Sequence, residues 1–374
     1  MPQDDLALRP HVAFYLPHLG GGGTEKMVTT LANGLSARGY NVDMVLVHAS
    51  GTYLQTLSGN IHVLDLDSKN SYLSLPGLIT YLRHRCPQIL VSALSLTNLI
   101  ALIARGLAGS PSRVAIRIEN SVSAQWRAPW KKILEKPVLA WIYPWADVII
   151  AVSRAVANDA AEYLHIPLSR IEVIYNPAMT TPQEVAGASE RPHPWLAEGC
   201  APVILGVGRL TRAKDFATLI KAFAEIRRRR PARLIILGEG EERAALESLA
   251  QELRVTEDVD MPGFVSNPDL FMTACKVFVL SSRYEGLPTV LIEALASGCP
   301  VISTDCPGGS REILAGGAYG ELVPVADARA MAAAIDRALD GERHSVDPAW
   351  LDQFRLEAVV DQNIKILGLP SRPG

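Results

Sequence analysis

Short apolar runs of strand length alternate with helical stretches along almost the whole chain. Such alternation is typical of parallel sheets whose consecutive strands are connected by helices. The first series of predicted strands covers residues 11–16, 41–47, 88–93, 113–118, 147–152 and 171–175. The second series covers residues 202–208, 232–238, 275–282 and 299–305. We therefore predict an α/β protein with two doubly wound domains.

The two series are separated by a stretch rich in Pro, Gly, Ser and Thr, which indicates a linker. We place the N-terminal domain at residues 1–178, the linker at 179–200 and the C-terminal domain at 201–350. Residues 351–374 contain a last predicted helix. Because ligands of open α/β sheets bind at the carboxyl ends of the strands, a site between the two domains is expected.

The overall composition is that of a globular protein, with 48% hydrophobic and 20% charged residues. The net charge of −3 gives no indication of a nucleic-acid partner. Residues 1–178 carry 15 Lys and Arg against 12 Asp and Glu, whereas the rest carries 21 against 27. A basic N-terminal half suits an anionic surface or a phosphorylated acceptor, and ordinary scatter of charge is the alternative.

Cysteine usage and the apolar segments indicate an intracellular protein without a membrane span. The five cysteines form no CxxC pair and are expected to be reduced, mostly buried thiols. The acidic N-terminus is unlike a signal peptide. The apolar stretch at residues 89–104 is too short for a spanning helix, so a buried strand followed by a packed helix is predicted.

Four consecutive glycines, residues 20–23, follow the first predicted strand, with Thr24 as the expected N-cap of the next helix. Glycines let the backbone approach a bulky ligand closely, and the helix offers N–H groups to a phosphate. A tight structural turn is the alternative. The run matches neither GxGxxG nor GxxxxGK[ST], so a dinucleotide site or a P-loop is unsupported.

The second candidate loop is "GVGRLTRAKDF", in which Arg209 and Lys214 follow a strand while Asp215 and Phe216 open a helix. A guanidinium and an ammonium at this spacing can bind a diphosphate, the former as a bidentate fork. Two solvated surface cations are the alternative.

The third candidate is "EGLPTVLIEALASG", with a helix predicted over residues 288–297. Glu285 precedes this helix and Glu293 lies inside it, where both carboxylates can accept hydrogen bonds from sugar or ribose hydroxyls. A phosphate can bind the N–H groups of Gly286 and Leu287. The alternative for Glu293 is a structural ion pair.

Together these segments resemble the retaining glycosyltransferases of family four. "EGLPTVLIEALASGCPVISTDCPGG" is similar to the E-x7-E signature, with Glu285 and Glu293 as its acids. "GVGRLTRAKDF" resembles the donor segment, and "GGGTEK" the N-terminal loop. "AVS" at Ala151 and "IYNP" at Ile174 also fit, so the resemblance covers nearly the whole chain.

The resemblance implies a GT-B fold, in which two Rossmann-like domains face each other across a cleft and the last helix returns to the N-terminal domain. The donor nucleotide sugar then binds the C-terminal domain and the acceptor binds the N-terminal one. Glu293 is expected at the ribose, Glu285 at the donor sugar, and residues 263–265 against the base. The implied donor site comprises Gly22, Gly23, Gly208, Arg209, Lys214, Gly263, Phe264, Val265, Glu285, Gly286, Leu287, Pro288 and Glu293.

The reaction implied is transfer with retention of a hexose or N-acetylhexosamine, from a UDP-sugar by preference or a GDP-sugar. The acceptor hydroxyl attacks from the leaving-group side, and a donor phosphate oxygen takes its proton. Arg209 and Lys214 neutralise the diphosphate, so neither metal nor cofactor is expected. The "DLD" at residues 65–67 is accordingly not assigned to a metal.

One departure from the family concerns the His-Asn pair that many members carry after the central strands of the N-terminal domain. This chain has Glu119 and Asn120 instead. We expect Glu119 to contact the sugar or the acceptor, and Asn120 to lie on the acceptor side. His18 is a weaker candidate.

A Trp-rich basic stretch, residues 125–145, has the composition of an interfacial membrane anchor. Trp141 and Trp145 are expected in the core. Membrane contact is assigned to Trp126, Arg127, Trp130, Lys131 and Lys132. This stretch suits a peripheral enzyme acting on a lipid-linked acceptor at the cytoplasmic face of the membrane, in polysaccharide or lipopolysaccharide assembly.

Three other functions compete with glycosyl transfer. A nucleotide-sugar epimerase or hydrolase on the same scaffold would leave the basic, Trp-rich half without a purpose. A non-catalytic binding module has no need of the leaving-group cations Arg209 and Lys214. A dinucleotide dehydrogenase is the weakest alternative because neither half contains GxGxxG.

Overall fold

The computed structural model describes residues 10–124, 129–178 and 192–370, without the side chains of residues 129–134. The chain forms two compact units. The first consists of Met1–Pro177 together with Gln353–Gly374, and the second of Ala178–Asp352. The C-terminal segment therefore belongs to the same unit as the N-terminal half.

The strands are short and mostly buried on both faces, as expected for parallel sheets covered by helices. The first unit contains β1 His11–Leu16, β2 Asn41–Leu46, β3 His62–Asp65, β4 Ile89–Ala93, β5 Arg113–Ile118, β6 Val148–Ala151 and β7 Ile171–Val173. The second contains β8 Val203–Val207, β9 Arg233–Leu237, β10 Val259–Gly263, β11 Val277–Leu280, β12 Val301–Thr304 and β13 Glu321–Val323.

The helices connect successive strands and cover the sheets. The first unit has α1 Gly23–Ala37, α2 Leu75–Arg85, α3 Ser95–Ala108, α4 Pro129–Ile142 and α5 Arg154–Leu164. The second has α6 Phe216–Arg227, α7 Arg243–Glu252, α8 Asp269–Ala274, α9 Thr289–Ala296, α10 Ser310–Ile313, α11 Ala328–Leu339 and α12 Pro348–Leu351. The last helix, α13 Leu356–Leu367, returns to the first unit.

Both sheets are parallel and doubly wound, which confirms the predicted fold class. The strand order is β3-β2-β1-β4-β5-β6-β7 in the first unit and β10-β9-β8-β11-β12-β13 in the second. The order reverses between β1 and β4 and again between β8 and β11. Loops that diverge at such a switch point leave a crevice where ligands of this fold class bind.

Each unit has its own hydrophobic core. In the first, α13 packs on α1, where a Cβ at Gly34 would lie 2.7 Å from Cγ2 of Val360. Val359 and Val360 join Leu31 and Leu35 in this core. In the second, α6 and α11 pack together against the sheet.

Some local predictions were wrong or incomplete. Helix α1 begins at Gly23 with Gly22 as its N-cap, not with Thr24. Two of the five cysteines, Cys86 and Cys200, are exposed, although all five are free thiols. Strands β3, β10 and β13 were not predicted, because they are short and carry few buried apolar residues.

The apolar stretch at residues 89–104 forms β4 and most of α3, as predicted. In the parts of the chain described above, no helix has the length and hydrophobicity required of a membrane span. Most of the predicted linker lies outside the described residues, which resume at residue 192.

Candidate functional site

The loops after β8 and β11 meet at the switch point of the second sheet, and their contact is an ion pair. Nζ of Lys214 lies 2.6 Å from Oε1 of Glu285. The Ser282 hydroxyl also donates to this oxygen, at 2.6 Å. Both hydrogen bonds are accepted by Oε1 of Glu285. No group among the described residues donates a hydrogen bond to Oε2 of Glu285. One carboxylate oxygen is thus fixed while the other remains free to accept.

Further bonds hold these two loops together. The Ser281 hydroxyl donates to the carbonyl of Lys214 at 2.8 Å, and the Arg283 N–H donates to the carbonyl of Ala213 at 2.7 Å. The Arg283 guanidinium pairs with buried Asp215 at 3.0 Å. Asp215 adopts φ +47° and accepts from the Thr218 hydroxyl. This network fixes Lys214 in front of Glu285.

A third loop, residues 307–309, closes on Glu285 from the end of β12. The N–H of Glu285 donates to the Pro307 carbonyl at 2.9 Å, and that of Gly309 to the Gly286 carbonyl at 2.7 Å. Gly308 adopts φ +126°, and a Cβ there would lie 2.3 Å from the carbonyl oxygen of Glu285. Only glycine allows this approach.

Cys306, next to this loop, is a buried thiol near Glu285. Burial raises the pKa of Cys306 to about 11, and the negative charge of Glu285 adds to the increase. The thiol therefore stays protonated and is not a nucleophile at neutral pH.

Glu293 lies on α9, within the predicted helix, which runs from Thr289 to Ala296 with Pro288 as its N-cap. Its side chain is buried, as are Leu291, Ile292 and the preceding Leu287. The helix presents its N-terminus beside Gly286. The two acids of the motif thus differ in setting, since Glu285 lies in a bonded loop and Glu293 within a helix.

Arg209 and Gly208 form the start of the loop after β8. The Lys214 side chain runs along Gly208, where a Cβ would lie 3.3 Å from Cε of Lys214. Arg209 is exposed, and its guanidinium bonds to no residue within the described ranges. An exposed cation in the same loop as Lys214, without a partner among the described residues, can bind an anion.

The segment predicted to meet the base, residues 263–265, consists of the last residue of β10 and the two residues after it, at the same edge of the sheet. Gly263 accepts from the N–H of Gly238 at 2.8 Å. Phe264 is 59% exposed, and Val265 is half-buried. An aromatic ring open to solvent beside a buried glycine can stack on a flat ligand.

Two models of known protein families match the chain. The model described as "Glycosyltransferase Family 4" matches residues 21–181, and "Glycosyl transferases group 1" matches residues 192–349. The chain belongs to glycosyltransferase family four. The predicted resemblance is confirmed, and the protein is a glycosyltransferase.

Relatives and solved structures agree along nearly the full length of this glycosyltransferase. It is 29% identical over 365 residues to the N-acetylgalactosamine-N,N'-diacetylbacillosaminyl-diphospho-undecaprenol 4-alpha-N-acetylgalactosaminyltransferase of Campylobacter jejuni, covering 95% of this chain and 96% of the relative. It superimposes on sucrose-phosphate synthase from Thermosynechococcus elongatus with a TM-score of 0.78, 21% identity and coverage of 96% and 98%. It superimposes on Anabaena HepE in complex with UDP with a TM-score of 0.69 and 17% identity, covering 96% of this chain and 97% of HepE. The fold is GT-B.

In the first unit of the glycosyltransferase, the glycine loop follows β1 at the switch point. Gly21 and Gly23 face open space, whereas a Cβ at Gly22 would lie 2.2 Å from a carboxylate oxygen of Glu25. The Glu25 side chain, in the first turn of α1, therefore covers Gly22. A phosphate contact at this helix start, as predicted, requires the Glu25 side chain to move away.

Glu119 lies just past β5 in a buried polar cluster. Its Oε1 accepts from Nε of Arg117 at 2.9 Å, and its Oε2 from the Asn176 amide at 3.3 Å. Nη2 of Arg117 donates to Asn176 at 2.8 Å. Arg117 is 1% and Glu119 8% exposed. Glu119 is thus paired inside its own unit, and Asn120 beside it is half-buried. His18, the weaker candidate, is exposed, and its ring accepts a hydrogen bond from the Gly20 N–H.

The prediction that Trp141 and Trp145 are core residues was wrong. Trp141 is 66% and Trp145 41% exposed, because α4 turns Leu139 and Ile142 inward instead. Trp126 and Arg127 lie outside the described residues. Trp130, Lys131 and Lys132 lie in α4, but their side chains are not among those that the structure describes.

Several residues of the site escaped the sequence reasoning. Ser282, Arg283 and the loop at residues 307–309 shape the Glu285 pocket. The two glycines after Pro307 were the available signal, since paired glycines after a strand indicate a special backbone turn.

In the "DLD" stretch, Asp65 accepts from the N–H of Asp67, which gives this carboxylate a role in the turn.

Proposed function

We propose that this glycosyltransferase transfers a hexose or N-acetylhexosamine from a UDP-sugar to a hydroxyl of a lipid-linked or glycan acceptor, with retention. A GDP-sugar is the alternative donor. The observation that carries the proposal is the Lys214–Glu285 pair at the switch point of the second sheet, with exposed Arg209 in the same loop as Lys214. Together these residues combine two cations with a carboxylate that has one free oxygen.

The cations act on the leaving group. Lys214 uses one of its three N–H donors on Glu285, so two remain for phosphate oxygens. Arg209, which has no protein partner among the described residues, supplies a bidentate fork. Negative charge grows on the diphosphate as the glycosidic bond breaks, and fixed cations stabilise this charge without reorganisation. A donor phosphate oxygen takes the acceptor proton, and no metal is required.

The carboxylates position the donor. Oε2 of Glu285 accepts a hydrogen bond from a sugar hydroxyl, while the bonds from Lys214 and Ser282 hold the group still. Glu293 on α9 receives the ribose hydroxyls. Phe264 and Val265 contact the base. The complex of HepE with UDP, at 17% identity, supports UDP as the nucleotide to test first.

The class of acceptor is inferred from the activities for which the relatives are named. The Campylobacter relative acts, by its name, on a diphospho-undecaprenol-linked saccharide. A similar acceptor would place this enzyme at the inner face of the cytoplasmic membrane, in cell-envelope polysaccharide or lipopolysaccharide assembly. Trp126, Arg127, Trp130, Lys131 and Lys132 are proposed to contact the membrane. Glu119 and Asn120 are proposed to line the acceptor side.

The test is a transfer assay with radiolabelled UDP-sugars and a short polyprenyl-diphosphate-linked saccharide, with and without EDTA. We expect labelled product in both conditions. NMR of the product should show that the α-linkage of the donor is retained. Transfer should fall about 100-fold in Arg209→Ala. An inverted linkage or loss of activity in EDTA would contradict the mechanism. Release of free or epimerised sugar without acceptor would favour a hydrolase or epimerase.

A further inference from the structure

The outward side is apolar along the C-terminal half of α4, from Pro137 onward, and along the turn that follows the helix. The exposed residues here are Pro137, Val138, Trp141, Pro144 and Trp145, which we call the tryptophan face. Their spacing matches one side of a helix, and the rings of Trp141 and Trp145 lie 4.8 Å apart in an edge-to-face contact. The two tryptophans therefore form one continuous surface.

The opposite side of the same segment is apolar as well. Leu139, Ile142, Tyr143 and Ala146 are buried in the first unit. A helix at a water-exposed surface normally has polar residues on its outer side, and a helix that is apolar all round is covered on both sides. The tryptophan face thus lacks the polar character expected for permanent contact with water.

Two arginines fix the turn that carries the exposed rings. Nη2 of Arg105 donates to the Trp145 carbonyl at 2.8 Å, and Nη2 of Arg170 donates to the Ala146 carbonyl at 3.1 Å. The backbone is therefore held in place by charged side chains at the edge of the face, while the indole rings point away from the core. The face is preformed and has a basic rim.

The charge around the face selects the partner. Arg105 and Arg170 flank the turn, where Asp147 pairs with Arg105 at 3.2 Å, and α4 itself carries Lys131, Lys132 and Lys136 against one acid, Glu135. The five cations thus outnumber the two acids. A second copy of the chain would bring like charges together, because a twofold interface pairs the same patch with itself. Indole rings in a segment with an excess of cations instead match the interface of a bilayer that contains anionic lipids.

We propose that the tryptophan face docks the first unit on an anionic lipid bilayer, with the rings of Trp141 and Trp145 at the headgroup level. The proposal deepens the proposed function, since it rests on the lipid-linked acceptor assigned there and names the surface that brings the enzyme to it. It assigns to these two tryptophans a role that the sequence had given to Trp126 and Trp130.

The test is co-sedimentation of the full chain with vesicles of phosphatidylcholine alone or with 30% phosphatidylglycerol (about one anionic lipid in three), near 0.15 M salt. We expect binding to the anionic vesicles and a partition coefficient reduced about tenfold or more in Trp141→Ala/Trp145→Ala. The matched control is Tyr72→Ala, which removes an aromatic ring that is 67% exposed in the same unit. It should bind like the parent protein.

A second variant keeps the test valid if loss of the indole pair perturbs folding. Val138→Glu places a carboxylate on the 42% exposed Val138 without removing a ring, and we expect a similar loss of binding. Parent-like binding of both variants, or no binding of the parent to anionic vesicles, would overturn the proposal. So would a parent dimer that Trp141→Ala/Trp145→Ala dissociates. Vesicle binding is measured without a donor, whereas transfer to a water-soluble acceptor requires no membrane. The two assays therefore distinguish failure of the membrane proposal from failure of the proposed function.

Discussion

The ammonium of Lys214 lies 2.6 Å from the carboxylate of Glu285, although the two residues are 71 positions apart in the chain. The pair bridges the two loops that diverge at the switch point of the second sheet. Neither side chain is far from solvent, with 23% and 9% exposure, so a ligand can reach the pair. A single contact thus joins a candidate leaving-group cation to a candidate sugar-binding acid.

Replacing Lys214 should lower both activity and stability. In Lys214→Ala, Glu285 keeps its bond from Ser282 but loses its counter-charge. We expect kcat to fall about 100-fold because one fixed cation at the leaving group is lost. The melting temperature should also fall. The measurements are initial rates with saturating donor and a thermal melt.

The matched control for this change is Lys221→Ala, an exposed lysine on α6 of the same unit. Parent-like kcat in both lysine variants would show that Lys214 has only a structural role. Rescue of the Lys214→Ala melting temperature on adding Glu285→Gln would show that the loss of stability comes from the unpaired charge of Glu285.

The close approach of Gly308 to Glu285 predicts a strong effect of one methyl group. A Cβ at Gly308 would overlap the Glu285 carbonyl oxygen at 2.3 Å, so Gly308→Ala must displace the loop that carries the acid. We expect a loss of activity of about 100-fold or more, since small displacements of positioning groups are costly. Gly298→Ala is the control, because Gly298 also has positive φ (+71°) but no neighbour within 4 Å.

Gly298→Ala strains the backbone by about 1–2 kcal/mol, and Gly308→Ala strains it at least as much. Only Gly308→Ala should also lose transfer activity in the initial-rate assay. Equal activity of the two variants would contradict the assigned role of the loop at residues 307–309.

Buried Asp43 on β2 predicts a pH-dependent contribution to the stability of the first unit. Burial alone would raise its pKa, but His11 and Arg85 outweigh this and lower the pKa from 3.8 to about 2. The Tyr81 hydroxyl also donates to it, at 2.8 Å. Because the folded-state pKa is lowered, this stabilisation is present above pH 4 and is lost as the pH falls toward 2.

Asp43→Asn should therefore be less stable than the parent at pH 6, and the difference should narrow by about 1 kcal/mol at pH 3. Urea unfolding followed by circular dichroism measures both values. The control is Glu162→Gln, an exposed acid without an ion pair in the described parts of the chain. A pH-independent difference would show that Asp43 is not ionised in the way described.

The buried pair of Arg117 and Glu119 predicts unequal costs of single and double replacement. Removing one partner leaves the other charge buried, which costs about 3–5 kcal/mol. Replacing both, as Arg117→Met/Glu119→Leu, should cost less than the sum of the single changes. Urea unfolding of the four proteins gives the coupling energy. Additive costs would mean that the 2.9 Å contact contributes nothing.

Much of the fold was predictable from the sequence because its strands are buried on both faces. The strand at β1 was predicted with its exact bounds, since five apolar residues follow His11 and precede the glycine loop. β3 was missed because it is an edge strand with three exposed residues. A helix whose two sides are both apolar also misled the prediction, which placed Trp141 and Trp145 in the core.

The candidate site was predictable as a set of residues but not as a set of contacts. The spacing of Glu285 and Glu293 indicated the motif, whereas nothing in the spacing indicated that Lys214 would bond to Glu285. Glu119 likewise followed from its position after a strand. Its buried partner Asn176 lies 57 residues away, and only the order β5-β6-β7 in the sheet brings the two residues together.

The most direct measurement of the central claim is a thermal-shift titration with UDP, GDP and ADP without added metal, on the parent and Arg209→Ala. Arg209 is exposed and unpaired within the described residues, so its loss should leave the unliganded melt unchanged. We expect UDP selectively to raise the melting temperature of the parent, by a shift that Arg209→Ala largely removes. No shift with any of the three nucleotides at millimolar concentration would contradict the donor site at Lys214, Glu285 and Arg209.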